Sequence, residues 1–131
     1  MSSTTRSGDI AEMSFALRAK QKKFAVLTPF SNSSAYDLVL DTGKRLLKIQ
    51  VKSTIQEKSK TSFKVNISRG FKKQYSYKEN EVDYFAIYIV KIDKFFIIPF
   101  SEITKISVYL SPENENHKYT KYLENWEQLN E

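Results

Sequence analysis

Apolar and polar positions alternate through two neighbouring runs, Tyr36-Asp37-Leu38-Val39-Leu40 and Leu47-Lys48-Ile49-Gln50-Val51-Lys52, on either side of Asp41-Thr42-Gly43-Lys44. A period of two marks strands with one buried face, and Asp and Gly at the connection favour a tight turn, so residues 36–54 predict a hairpin. With Thr42 and Gly43 as the loop, Leu40 faces Arg45, Leu38 faces Leu47, Asp37 faces Lys48 and Tyr36 faces Ile49. Tyr36, Leu38, Leu40, Leu47, Ile49 and Val51 then share an apolar face, and Asp37, Lys48, Gln50 and Lys52 share the other.

The pattern changes on both sides of this hairpin. Upstream, Met1 to Ser7 is polar and reads as a flexible start. A helix follows, capped by Ser7 or Asp9, with Ile10, Met13 and Leu17 at helical spacing and a second apolar patch of Phe15, Ala16 and Ala19 that has Glu12 beside it. Lys20 to Lys23 suits the helix C-terminus, Phe24 to Thr28 is a strand stopped by Pro29, and Ser31 to Ser34 is a polar loop. Downstream, Phe63, Val65 and Ile67 alternate with polar residues as a half-buried strand. Tyr84 to Val90 and Phe95 to Ile98 are continuous apolar runs that fit central, covered strands, and Lys105 to Leu110 is a final strand. Tyr119, Tyr122, Leu123, Trp126 and Leu129 recur at helical intervals and predict a terminal helix over 119–131. The order helix, strand, hairpin, strands predicts an α/β domain with a mixed β-sheet flanked by helices.

The polar face of the hairpin carries candidate chemistry. Asp37 and Gln50 offer hard oxygen ligands, which suit Mg²⁺ because that ion keeps several waters and takes few protein ligands; diagonal cross-strand separations of about 7–8 Å leave room for it. Lys52 adds an ammonium able to stabilise an attacking hydroxide or the charge developing on a phosphate. The same residues equally fit a surface ion pair between Asp37 and Lys48 with Gln50 and Lys52 solvated, and such pairs contribute little. Glu12, beside Phe15, Ala16 and Ala19, would be partly shielded and in need of a cation or donor, or it would pair with Lys20 at the surface.

Gly8-Asp9-Ile10-Ala11-Glu12, Pro29, Tyr36-Asp37-Leu38-Val39 and Ile49-Gln50-Val51-Lys52 together resemble the core of the PD-(D/E)XK (restriction-endonuclease-like) nucleases, and most nearly the small group I intron-encoded homing endonucleases. The resemblance covers the first half of the chain well and the rest loosely. It implies a mixed sheet flanked by helices, with catalytic residues Glu12, Asp37, Gln50 and Lys52, of which Glu12, Asp37 and Gln50 bind metal. The implied cofactor is Mg²⁺, with Mn²⁺ able to substitute. Gln50 stands where most of the superfamily carries Glu or Asp, so the ligands around the metal carry one negative charge fewer, although Gln is typical of the intron-encoded branch. The implied activity is site-specific cleavage of double-stranded DNA by a homodimer or higher homo-oligomer. A Holliday-junction resolvase and a DNA-binding relative without turnover are the alternatives.

Composition agrees with one compact domain over 1–131, since 131 residues with 40% hydrophobic content support a single core. The chain has no Cys, and its one histidine, His117, gives no support to a zinc site or a His-based triad. No glycine-rich phosphate loop is present. There is no apolar run of membrane-spanning length and no secretory signal, so a soluble, cytoplasmic protein with no membrane partner is expected. Charge sharpens the picture: residues 1–78 hold 16 Lys and Arg against 5 Asp and Glu, and residues 79–131 hold 5 against 10. The basic half contains the candidate site, as a nucleic-acid partner would require. Within it, Arg69, Lys72, Lys73, Gln74 and Tyr75 interleave basic, aromatic and amide side chains and, with Lys48, are the expected DNA contacts. An exposed loop anchored by buried aromatics fits the same pattern.

Overall fold

A computed structural model of the chain describes residues 3–31, 33–68 and 77–131. Helix α1 (Ser3–Gln21) is followed by strands β1 (Ala25–Leu27), β2 (Leu38–Asp41), β3 (Leu46–Thr54), β4 (Phe63–Asn66), β5 (Tyr84–Ile89), β6 (Lys94–Pro99) and β7 (Ser107–Leu110). Five of the strands form one sheet in the order β1-β2-β3-β5-β6, and β4 and β7 form a separate two-stranded ribbon. β3 and β5 pair in parallel while every other pair is antiparallel, so the sheet is mixed, as expected.

The sheet separates two cores. On one face α1 seats Ala11, Phe15 and Ala19, spaced four apart, on Leu38, Leu40, Leu47, Ile49 and Val51 of the hairpin. Phe15 is fully buried, with its ring 5.4 Å from Phe95 and 4.9 Å from Trp126. Of the two apolar stripes on this helix, packing selects the one that carries Phe15 and leaves Ile10, Met13 and Leu17 outside. The helix also begins at Ser3, before the expected caps at Ser7 and Asp9. On the opposite face the ribbon supplies Phe63, Val65, Val108 and Leu110, which meet Phe85, Ile87, Ile89, Phe96 and Ile98. Because β5 and β6 contribute to both cores, they read as unbroken apolar runs.

Two expectations are corrected here. The hairpin connection is four residues long, Thr42 to Arg45, and the register pairs Leu38 with Ile49, Val39 with Lys48 and Leu40 with Leu47. Asp41 Oδ1 accepts from Gly43 N at 2.9 Å, Thr42 N donates to Arg45 O at 3.1 Å, and Gly43 takes φ +88°, so side-chain and backbone bonds close a wider loop than the two-residue turn. The resulting shift of two residues keeps every side chain on its predicted face. The segment 119–131 is not a continuous helix but two 3₁₀ turns, Thr120–Tyr122 and Glu127–Asn130. Glu124 lies between them at φ 52°, its N–H donates to Phe95 O at 2.7 Å, and Leu123 bridges to Phe96. Pairing with the edge of β6 thus interrupts the helical path, while Tyr119, Trp126 and Leu129 are still buried. Only α1 is an α-helix among the described residues; the second face of the sheet is covered by the ribbon.

Candidate active site

The corrected register determines the site. Continuing the β2–β3 ladder one residue past Leu38 and Ile49 sets Asp37 level with Gln50, rather than with Lys48. Asp37 N donates to Ile49 O at 2.9 Å, and Asp37 Oδ2 accepts from Val51 N at 2.8 Å, so the carboxylate is fixed to the backbone of β3 at the point where Gln50 leaves it. Gln50 and Lys52 both project from the face of β3 that bears the ribbon, level with Phe85 and Ile87 of β5. Asp37 immediately precedes β2, at the open end of the hairpin. Its charge is therefore felt both by Glu12 from the helix side and by Lys52 from the ribbon side.

Glu12 lies on α1 between the buried Ala11 and Phe15 positions and is itself half-buried. Burial, then the like charges of Asp37 and Asp9, push its carboxyl up from 4.5 to about 7. Burial also raises Asp37, against the bond from Val51 and the attraction of Lys52, and burial lowers Lys52 against the attraction of Asp37. Desolvation thus disfavours charge on all three groups; the Val51 N–H and the mutual attraction of Asp37 and Lys52 offset it for those two. Glu12 and Asp37 line an open cavity of about 420 Å³ with Pro29, Ser31, Ser34 and Tyr36.

Lys52 Nζ donates to the carbonyl of Ser68 at 2.8 Å and lies 5.4 Å from the ring centroid of Tyr77. Lys48 is drawn elsewhere: its ammonium donates to the carbonyl of Asn80, and its backbone N–H to Asp83 Oδ2 at 2.8 Å. The cross-strand pair of Asp37 with Lys48 does not form. Arg69, Lys72, Lys73, Gln74 and Tyr75 lie outside the described residues. Of the sequence-derived residues, the fold thus brings together Glu12, Asp37, Gln50 and Lys52. Three participants escape a reading by residue type. Asp9 sits three positions before Glu12 on the helix and raises its pKa, Ser68 acts through a backbone carbonyl, and Tyr77 is one aromatic among many.

Among the described residues no group of three or more His, Cys, Asp or Glu side chains gathers as a metal centre. The oxygen-bearing side chains at this end of the hairpin are two carboxylates, Glu12 and Asp37, which line one cavity, and Gln50, level with Asp37 on the neighbouring strand. Two carboxylates that burial pushes toward the protonated form, Glu12 also by the charge of Asp37, fit a hard divalent cation, which would neutralise them, and Mg²⁺ completes its shell with water.

The profile of the PD-(D/E)XK endonuclease family matches residues 2–129, and the chain belongs to that family. Its α/β fold, a mixed sheet flanked by a helix, is the restriction-endonuclease-like architecture. Among solved structures it is similar to I-Ssp6803I, a bacterial homing endonuclease, with a TM-score of 0.86 and 25% identity over 98% of this chain and 94% of that one. It shares its fold with Hjc, a Holliday junction resolvase from the archaeal hyperthermophile Archaeoglobus fulgidus, at a TM-score of 0.50 and 16% identity over 79% of this chain and 83% of that one. The sequence matches none of the curated proteins with which it was compared. Among the described residues no helix is long and apolar enough to cross a membrane.

Proposed function

We propose that the protein is a metal-dependent, site-specific endonuclease that hydrolyses phosphodiester bonds in duplex DNA, of the intron-homing type. The observation that carries this reading is the register placing Asp37 level with Gln50, with Lys52 two residues on and the carboxyl of Glu12 facing in from α1. The likeness to a homing endonuclease over almost the full length of both chains supports the same reading.

In this account residues 1–131 form one nuclease domain, acting in the cytoplasm. Glu12, Asp37 and Gln50 would hold Mg²⁺, for which Mn²⁺ would substitute. The bound ion supplies Lewis acidity at the phosphate and an activated water. Asp37, tied to Val51 N, fixes the geometry, and Gln50 contributes a neutral oxygen. Glu12, whose carboxyl is raised to about 7, would release its proton to solvent on holding the ion and, as a carboxylate, orient the water. Water attacks phosphorus in line as the P–O bond to the departing oxygen breaks, and the proton that the water gives up ends, by way of solvent, on that oxygen. The Lys52 ammonium stabilises the extra negative charge on the phosphate oxygens. Phosphate contacts come from the basic half of the chain, including Lys48, and from the run that holds Arg69, Lys72, Lys73, Gln74 and Tyr75. One site cuts one strand, so cleavage of both strands uses a homodimer or higher homo-oligomer whose symmetry matches that of the duplex.

Incubating the protein with Mg²⁺ and a pool of long linear duplexes and four-way junctions tests this reading. Cutting is expected at one site in linear DNA and should be lost in Lys52→Ala. Cuts confined to junctions would make the protein a resolvase, and binding without cutting in Mg²⁺ or Mn²⁺ would make it a DNA-binding relative without turnover.

A further inference from the structure

A lysine places a compact charge at the end of four rotatable bonds, so the location of its ammonium must be imposed by its partners. For Lys52 those partners come from two separate parts of the chain. One is the carbonyl of Ser68, which accepts from Nζ at 2.8 Å. Ser68 is itself anchored: it is buried, its hydroxyl donates to Asn66 Oδ1 at 2.6 Å, and the preceding N–H of Ile67 donates to Ile106 O at 2.7 Å. The other is the Tyr77 ring, 5.4 Å from Nζ and set edge-on to Phe85 with centroids 5.2 Å apart. Phe85 is fully buried on β5 and level with Gln50, so the ring rests on a part of the sheet that does not move independently of the site.

We propose that Tyr77 is a positioning residue for Lys52, its ring and the Ser68 carbonyl together fixing the ammonium over β3 where it can meet a bound phosphate. The inference rests on the nuclease reading of this site and adds two participants that the family motif does not include. A carbonyl oxygen takes one of the three ammonium donors, and an aromatic face attracts the charge without accepting a proton. Lys52 thus keeps donors for an incoming phosphate. The ribbon acquires a role as well, because β4, held by β7, carries the Ser68 carbonyl to the ammonium.

The test compares wild type with Tyr77→Leu and Tyr77→Phe by two readouts. In carbon-proton NMR the Lys52 ε-methylene resonance, assigned by its loss in Lys52→Arg, should be shifted upfield by the ring current in wild type and in Tyr77→Phe, and should return to the ordinary lysine position in Tyr77→Leu. In cleavage of a selected duplex, Tyr77→Leu should lower kcat by about 3- to 30-fold with KM little changed, and Tyr77→Phe should restore it. An ordinary Lys52 resonance in wild type overturns the proposal even if Tyr77→Leu fails to fold. So does an unchanged kcat in Tyr77→Leu, or a loss that Phe does not restore. If wild type cuts no DNA, the nuclease reading fails, and the resonance still decides whether Tyr77 holds the ammonium.

Discussion

Glu12 is the residue whose chemistry depends most on the fold. On the helix alone it is one of two acids, and in the folded chain burial with the like charges of Asp37 and Asp9 carries its carboxyl from 4.5 to about 7. A carboxyl raised on folding makes the folded state the better proton binder between those values. Its contribution to stability is therefore present at low pH and is lost as pH rises through about 7. Metal-free wild type should consequently lose stability between about pH 5 and about pH 8, and Glu12→Gln should lose less over the same range, as urea unfolding at several pH values will show. Equal slopes in the two proteins would remove the proton from Glu12. Mg²⁺ should reverse the trend in wild type by stabilising the charged pair at the higher pH.

The sequence reached these residues unevenly. Asp37, Gln50 and Lys52 were visible because alternation alone decides which face of a strand a side chain takes. Glu12 rested on family likeness, since nothing in helical spacing distinguishes a site acid from a surface one. The Ser68 carbonyl carried no signal, because any residue type supplies it.

Among elements, the hairpin shows what periodicity does and does not determine. Parity came through intact, and the register was displaced by two because Asp41-Thr42-Gly43 fits both a two-residue turn and the four-residue loop that forms. That difference moves the partner of Asp37 from Lys48 to Gln50 and removes the ion pair that the other register would allow. Gly43 holds the loop at φ +88° with open space where a Cβ would project. Gly43→Ala should therefore cost about 1–2 kcal/mol through backbone strain alone, measured by chemical unfolding. A neutral substitution would show that the loop relaxes to another turn. Helix α1 carried two candidate stripes, and only the presence of Phe95 and Trp126 beneath it decides that Phe15 faces inward. At the C-terminus the apolar spacing was right about burial and wrong about conformation. Residues 119–131 pack by pairing with β6, a long-range contact that local periodicity does not encode.

At the scale of the whole molecule, the mixed sheet and its basic half were both readable from the chain. The two-sided covering was not, because a ribbon formed by strands more than forty residues apart leaves no local signature. The charge asymmetry leads to a direct expectation for DNA: the association constant should fall about tenfold or more between about 50 and about 200 mM salt as displaced counterions are returned. A flat salt dependence in a filter-binding or anisotropy titration would contradict a contact built on phosphates.

The account depends most on Asp37 and Glu12 holding a divalent cation beside Gln50. Titrating Mn²⁺ into the protein and following the free ion by electron paramagnetic resonance tests that with no knowledge of a DNA target. Wild type should bind Mn²⁺ more tightly as pH rises through about 7, following the loss of the Glu12 proton. Asp37→Asn and Glu12→Gln should each weaken binding by about tenfold or more, and Mg²⁺ should compete for the site. Binding by wild type that is unchanged in Asp37→Asn would contradict the account, because the metal would then be held somewhere other than the end of β2.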